Sequence, residues 1–289
     1  MAATVLAILA LPVPPLSILS AAIVALVTLR RGIQQGLLVI GLSGVACGVM
    51  ALLLFSQALP VVGFVLLMWL PVWFLGGMLR VNRSLGLTLT VALALGLLVI
   101  GAQYLQSQDP VVAWQELLQP FVTSLVDAQL VDPKLSQQLL ETMAGWMPGA
   151  IAAGFVVQSM AALILARWWQ ALLYNPGGFK QEFQQLRLPR VLAPVTLLVL
   201  VLNWFVPEVG LPTYLTVLLL AGWLIQGVSL VHALQTQLGT SVLWLVAMYA
   251  ILPFFMPYVI EALALAGLTD SWFDYRARLG TVDKSDKTG

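Results

Sequence analysis

Few side chains in this sequence are equipped for chemistry. There is one histidine, His232, and one cysteine, Cys47, so neither a Cys/His metal centre nor an internal disulfide can be built. No nucleophile stands beside a base in a recognised pattern. Paired glycines such as Gly76-Gly77 lie in apolar runs and open no phosphate-binding loop. We therefore expect no enzymatic activity, no metal and no cofactor. What remains is a set of polar groups embedded in apolar sequence. Glu261 leads it, because an ionisable group at membrane depth marks a function or needs a partner. Gln158, Asn203 and Gln226 carry amides that must find partners in lipid. These four are the candidate substrate-binding residues. The alternative for the three amides is hydrogen bonding between helices, and Asn203 could also line a pocket with Trp204 and Glu208.

The elements that would position these groups follow from composition. The 289 residues are 61% hydrophobic and 9% charged, against about 25% charged in soluble domains. Too few charges remain to coat a soluble body, so most of the surface must face lipid. Net charge is +1, which gives no bulk argument for nucleic-acid binding. Spanning a bilayer needs about 20 apolar residues. Segments 36–57, 61–80, 84–105, 148–170 and 211–231 meet this, and 191–206 is a shorter span. Residues 2–29, broken by Pro12, Pro14 and Pro15, read as a hairpin of 2–13 and 16–29. Residues 240–269 read as two short helices turning near Pro253–Pro257. The first apolar run lacks a basic lead and a small-residue cleavage site, so we expect it to be retained. The fold class is an all-α polytopic transmembrane bundle of eight to ten helices.

Charge orients the bundle. Twelve of the thirteen Lys and Arg residues fall at the ends of apolar runs that one membrane face can share. The thirteenth, Lys134, lies in 106–147 among Asp109, Glu116, Asp127, Asp132 and Glu141. The positive-inside rule then puts 106–147 outside and the tail inside, in a bacterial inner membrane. The organisation is 1–105 as N-terminal membrane helices, 106–147 as outer helices, 148–275 as C-terminal membrane helices with an inner loop 171–190, and 276–289 as a cytoplasmic tail. Asp109-Pro110 and Asp132-Pro133 are helix starts, and Trp114, Leu118, Phe121 and Leu125 recur at helical spacing. The result is an outer amphipathic pair, read as interfacial or, alternatively, as a lid over a cavity, with Gly145 ending its second helix.

Small residues at four-residue spacing, Ser17/Ala21/Ala25, Ala3/Ala7 and Gly44/Gly48, let helices approach closely in lipid. They serve either packing within the bundle or docking of a membrane partner. At the closing end, Asp270, Asp274 and Arg278 fall at i, i+4, i+8, suiting a helical ion pair between Asp274 and Arg278. With Trp272 and Arg276 they form an inner-face motif, read as a structural clasp or, alternatively, as a partner-binding tail.

Three stretches carry a resemblance. Leu29-Arg30-Arg31-Gly32, the run Ala166 to Phe179 (ARWWQALLYNPGGF) and the run Ala266 to Arg276 (AGLTDSWFDYR) resemble the YybS-like family of multi-pass bacterial membrane proteins over nearly the whole chain. Relatives tend to carry a short basic N-terminal lead that Met1-Ala2-Ala3-Thr4 does not match. The resemblance implies a helix arrangement similar to substrate-binding subunits of energy-coupling-factor transporters and to the rod-shape protein MreD. By that analogy, Ala21 and Ala25, or alternatively Ala3 and Ala7, would dock a membrane coupling subunit. The expected function is a small-molecule-binding transport subunit that does not itself hydrolyse nucleotide. The alternative is a scaffold or assembly protein of the cell envelope.

Overall fold

The computed structural model describes residues 15–56, 59, 63, 65–205 and 210–278. Every element in this set is helical. In chain order they are α1 (Pro15–Arg31), α2 (Ile33–Phe55), a π-helical turn (Val65–Trp69) running into α3 (Leu70–Asn82), α4 (Leu85–Gln106), α5 (Pro110–Asp127), α6 (Pro133–Tyr174), α7 (Gly178–Gln184), α8 (Leu192–Phe205), α9 (Leu211–Gln237), α10 (Leu243–Ile251) and α11 (Met256–Phe273). Residues 2–13, the Glu208 turn, and the tail with Lys284 and Lys287 lie outside the described residues.

Among the described residues, four helices, α2, α4, α6 and α9, are long and apolar enough to cross a membrane, and α8 is a shorter apolar helix. This makes an all-α chain with membrane-spanning character. A set of eight to ten spans goes beyond these four. The difference lies in short elements. α10 has nine residues, about 13 Å of helix, which is well short of the ~30 Å hydrocarbon core. The break expected near Pro253–Pro257 is present between α10 and α11, and Pro257 sits in the first turn of α11.

Capping chemistry set the boundaries where it was strong. Asp109 accepts a hydrogen bond from the Val111 amide at 2.9 Å, and Asp132 accepts from Lys134 at 2.8 Å. Each therefore satisfies an orphan donor of its helix, with proline at the next position. Gly145 does not end a helix. α6 continues through it and through Pro148 to Tyr174, 42 residues in all. A proline interior to a helix forfeits one backbone bond, but Gly145 and Pro148 are both buried. Packing holds the helix together where sequence alone suggests a stop.

α6 is the central element and packs against α1, α4, α5 and α9, while α9 packs along α11. The approach is closest where glycines remove the side chain. A Cβ on Gly227 would stand 1.9 Å from the Leu263 carbonyl oxygen, and one on Gly267 would stand 2.2 Å from that of Trp223. In lipid, association depends on packing and interhelical hydrogen bonds. The core follows that rule. Trp69 donates to Ser20 Oγ at 3.1 Å and Trp223 to Thr196 Oγ1 at 2.8 Å, both fully buried. α2 differs, because Leu42, Val45 and Leu53 are at least two-thirds exposed. Its apolar character suits a lipid-facing helix.

Candidate functional site

The four candidate substrate-binding residues do not meet in one cavity. Gln158 Nε2 donates to Ser17 Oγ at 2.8 Å and contacts Met68 Sδ at 2.8 Å. Asn203 Oδ1 accepts from Thr213 Oγ1 at 2.9 Å, joining α8 to α9. Gln226, fully buried on α9, accepts from the Leu188 amide at 2.7 Å and donates to the Gly267 carbonyl at 2.8 Å. It ties the α7–α8 connection to α11. Glu261 is exposed on the second turn of α11. All three amides thus have partners across helices, the reading set beside pocket lining.

The small-residue faces also separate. Ala21 and Ala25 are buried inside the bundle, where Gly76 of α3 approaches: a Cβ on Gly76 would lie 3.7 Å from Ala25 Cα. Gly44 and Gly48 on α2 are half-buried, and a Cβ on Gly48 would meet nothing within 4 Å.

The closing motif, Asp270 to Arg278, is a set of cross-links. α11 stops at Phe273, and Asp274 turns the chain with φ 45°. Asp270, Asp274 and Arg278 therefore do not continue one helical face. Asp274 instead accepts from Arg187, which precedes α8, and from the Ala277 amide at 3.2 Å. The Arg187 hydrogen bond holds the Asp274 carboxyl below its ordinary value. Asp270 and Arg276 form a sealed ion pair, Nε to Oδ2 3.3 Å, with side chains 0% and 6% exposed. Arg276 Nη1 also donates to the Gln184 carbonyl. Burial pushes the Arg276 guanidinium down from its ordinary value, and the Asp270 charge opposes that shift. Arg278 stands 5.8 Å from the Phe273 ring centre, and Trp272 is half-exposed. The clasp joins α11 to the α7–α8 region.

The cavity that does form at the acidic end of the bundle is built from other residues. It is an open groove of about 530 Å³, lined by Tyr104, Gln108, Asp109, Gln115, Glu141 and Tyr214. Such a volume suits a small ligand. Local chemistry explains the placement. Gln103, near the end of α4, donates to the Pro148 carbonyl of α6 at 3.2 Å and accepts from Trp114 Nε1 of α5 at 2.9 Å. One amide therefore fixes the positions of three helices. Gly149 lets α9 close in, since a Cβ there would lie 2.8 Å from Tyr214 Cα. Tyr104 and Tyr214 are then neighbours, with ring centres 6.4 Å apart.

The lining carries two carboxylates, two phenols and two amides, and none of its residues is a cation. Asp109 uses Oδ1 to cap α5, and Glu141 Oε1 accepts from Gln137 at 2.9 Å. Each carboxylate keeps a further oxygen. Negative charge on Asp109 and Glu141 beside the partly exposed Tyr104 ring suits a cationic or hydrogen-bond-donating small molecule, while Tyr214 is itself buried. The described residues contain no group of three His, Cys, Asp or Glu side chains placed to hold a metal ion. Sequence reasoning identified Asp109 as a cap and missed its second position. The recognisable signal was that Tyr104, Asp109 and the start of α9 all border the acidic segment. No family model, curated protein or solved structure matches this chain.

Proposed function

We propose that this chain is a polytopic inner-membrane protein that captures a small cationic or donor-rich molecule in the cavity between Tyr104, Tyr214, Asp109 and Glu141. The acidic end faces the outside and the arginine-rich end the cytoplasm, as the asymmetry of Lys and Arg implies. The chain acts as a binding subunit of a transport system, as the resemblance to capture subunits implies. Energy is supplied by a separate membrane coupling partner. The observation that carries this reading is a ligand-sized cavity lined by two carboxylates and two tyrosines at the end opposite the arginines.

The test is thermal unfolding of the detergent-solubilised chain against a panel of small amines, amino acids and polyols. A ligand that binds only the folded state raises stability by about 2.7 kcal/mol at a hundredfold excess over its Kd. We expect at least one amine to stabilise the chain, and Glu141→Gln to remove the effect. If no cation stabilises it, or Glu141→Gln responds like the parent, the reading fails.

A specific observation favours the second reading, a non-transporting envelope scaffold. Gln158, Asn203 and Gln226 each bond across helices, so the polar residues of the spans serve the architecture. In that reading, the exposed face of α2 and the inner-face clasp organise partners.

A further inference from the structure

At the basic end, α1, α3, α6 and α7 border a second cavity of about 430 Å³. Arg80, Arg83 and Arg167 line it with Gln170 and Glu182, beside Leu29 and Leu79. The charges do not cancel. Arg167 is committed to Glu182, with Nε and Nη2 each 2.8 Å from Oε2, and its Nη1 donates to Gln170 at 2.9 Å. Arg80 Nη1 donates to the Leu29 carbonyl at 2.7 Å, which satisfies an α1 terminal acceptor but leaves the guanidinium charge uncompensated. Arg83 is exposed and closes α3 in a left-handed conformation, φ 51°. Among the described residues neither Arg80 nor Arg83 has a carboxylate partner.

A smaller cavity of about 140 Å³ shares Arg83 and Glu182 and reaches Arg187 and Ser84-Leu85-Gly86, the start of α4. The N-terminus of that 22-residue helix adds backbone donors and a favourable dipole for an anion. Glu182 contributes the opposite requirement. Its Oε1 is buried with no hydrogen-bond partner among the described residues, and a buried acceptor without a donor is costly. The two neighbouring cavities, which share Arg83 and Glu182, therefore ask for anionic oxygens at one point and a donor at another.

We propose that these cavities bind a phosphate ester whose alcohol carries a hydrogen-bond donor, with the phosphate at Arg80 and Arg83 and the donor at Glu182. Guanidinium groups match phosphate oxygens in geometry and charge. A phospholipid headgroup of the glycerol type and a free glycerol phosphate share this chemistry. The site is at the opposite end from the acidic cavity and takes ligands of opposite charge, so it stands independently of the function proposed above.

The test is native mass spectrometry of the full chain in a maltoside detergent, titrated with dihexanoylphosphatidylglycerol, dihexanoylphosphatidylcholine and glycerol 3-phosphate. We expect saturable one-to-one binding of the glycerol lipid, with the choline lipid, which lacks a donor, about tenfold weaker. Arg83→Asn should weaken binding about tenfold, because asparagine tolerates the left-handed backbone but carries no charge. Arg83→Lys, which keeps charge, should lose less. Arg30→Gln removes a charge at the same end that stacks on Tyr174 at 4.3 Å and should change nothing. Glycerol 3-phosphate binding as tightly as the lipid supports the site with a soluble source. Binding of the lipid alone supports a membrane source. No saturable binding, equal binding of the choline lipid, or equal losses from Arg30→Gln and Arg83→Asn would overturn the proposal.

Discussion

Tyr104 of α4 and Tyr214 of α9 place their ring centres 6.4 Å apart, with planes inclined at 47°, where both line the acidic-end cavity. The pair exists because Gly149 admits α9 against α6 and because Gln103 fixes the end of α4 to α5 and α6. The cavity wall is thus a consequence of helix packing. Each tyrosine ring is held by contacts its own helix cannot make alone.

The α9–α11 contact should tolerate no added methyl group. Gly227→Ala puts a Cβ within 1.9 Å of backbone at Leu263, and backbone cannot rotate away as a side chain can. We expect a loss of about 2 kcal/mol or more, read as a lower Tm in detergent. Gly48→Ala, with open space around it, should be neutral. Equal behaviour of the two variants would contradict this packing.

The Asp270–Arg276 pair should be worth more intact than halved. Both side chains are sealed from solvent, so Arg276→Met strands a buried charge at a cost of about 3–5 kcal/mol. The double variant Asp270→Leu/Arg276→Met removes both charges and should recover most of that loss. A double-mutant cycle on thermal unfolding measures the coupling. A double variant as unstable as the sum of the singles would refute it.

Asp274 gives the clasp an acid limit. Arg187 holds its carboxyl below the ordinary 3.8, so its stabilisation is fully present above that value. It is lost as pH falls below it through the depressed folded pKa. The pair is partly exposed, so solvent screening keeps the effect under about 1 kcal/mol. Asp274→Asn should flatten the decline in Tm as pH falls from about 4 to about 2. An unchanged acid limb would place the sensitivity elsewhere.

Topology gives a prediction of orientation. Reporters fused at Lys134 and after Arg278 should lie on opposite membrane faces, Lys134 outside. The same face for both would contradict the charge-based orientation and the even crossing of 240–269.

The legible part of the fold was written in local chemistry. Asp109-Pro110 and Asp132-Pro133 announced their helices because a cap is satisfied within three residues. The break before α11 announced itself through proline. The continuation of α6 through Gly145 and Pro148 was hidden, because what overrides a stop signal is burial against α5 and α9, which no short window contains. The site was hidden for the same reason. Polarity inside a span identified Gln226 as exceptional, but its partners, Leu188 and Gly267, lie 38 and 41 residues away. Asp274 took Arg187, 87 residues away, where helical spacing offered Arg278. Spacing alone ranks only the partners a single helix can offer.

The most direct measurement is a native mass spectrum of the chain extracted in mild detergent from its own host, beside Glu141→Gln and Glu261→Gln. A capture subunit predicts a discrete small molecule on the parent chain, retained on Glu261→Gln, which lies outside the cavity lining, and lost from cavity-lining Glu141→Gln. A chain that carries no small molecule in parent or variants, but a stoichiometric envelope protein other than a nucleotide-hydrolysing coupling partner, would contradict capture and favour the scaffold.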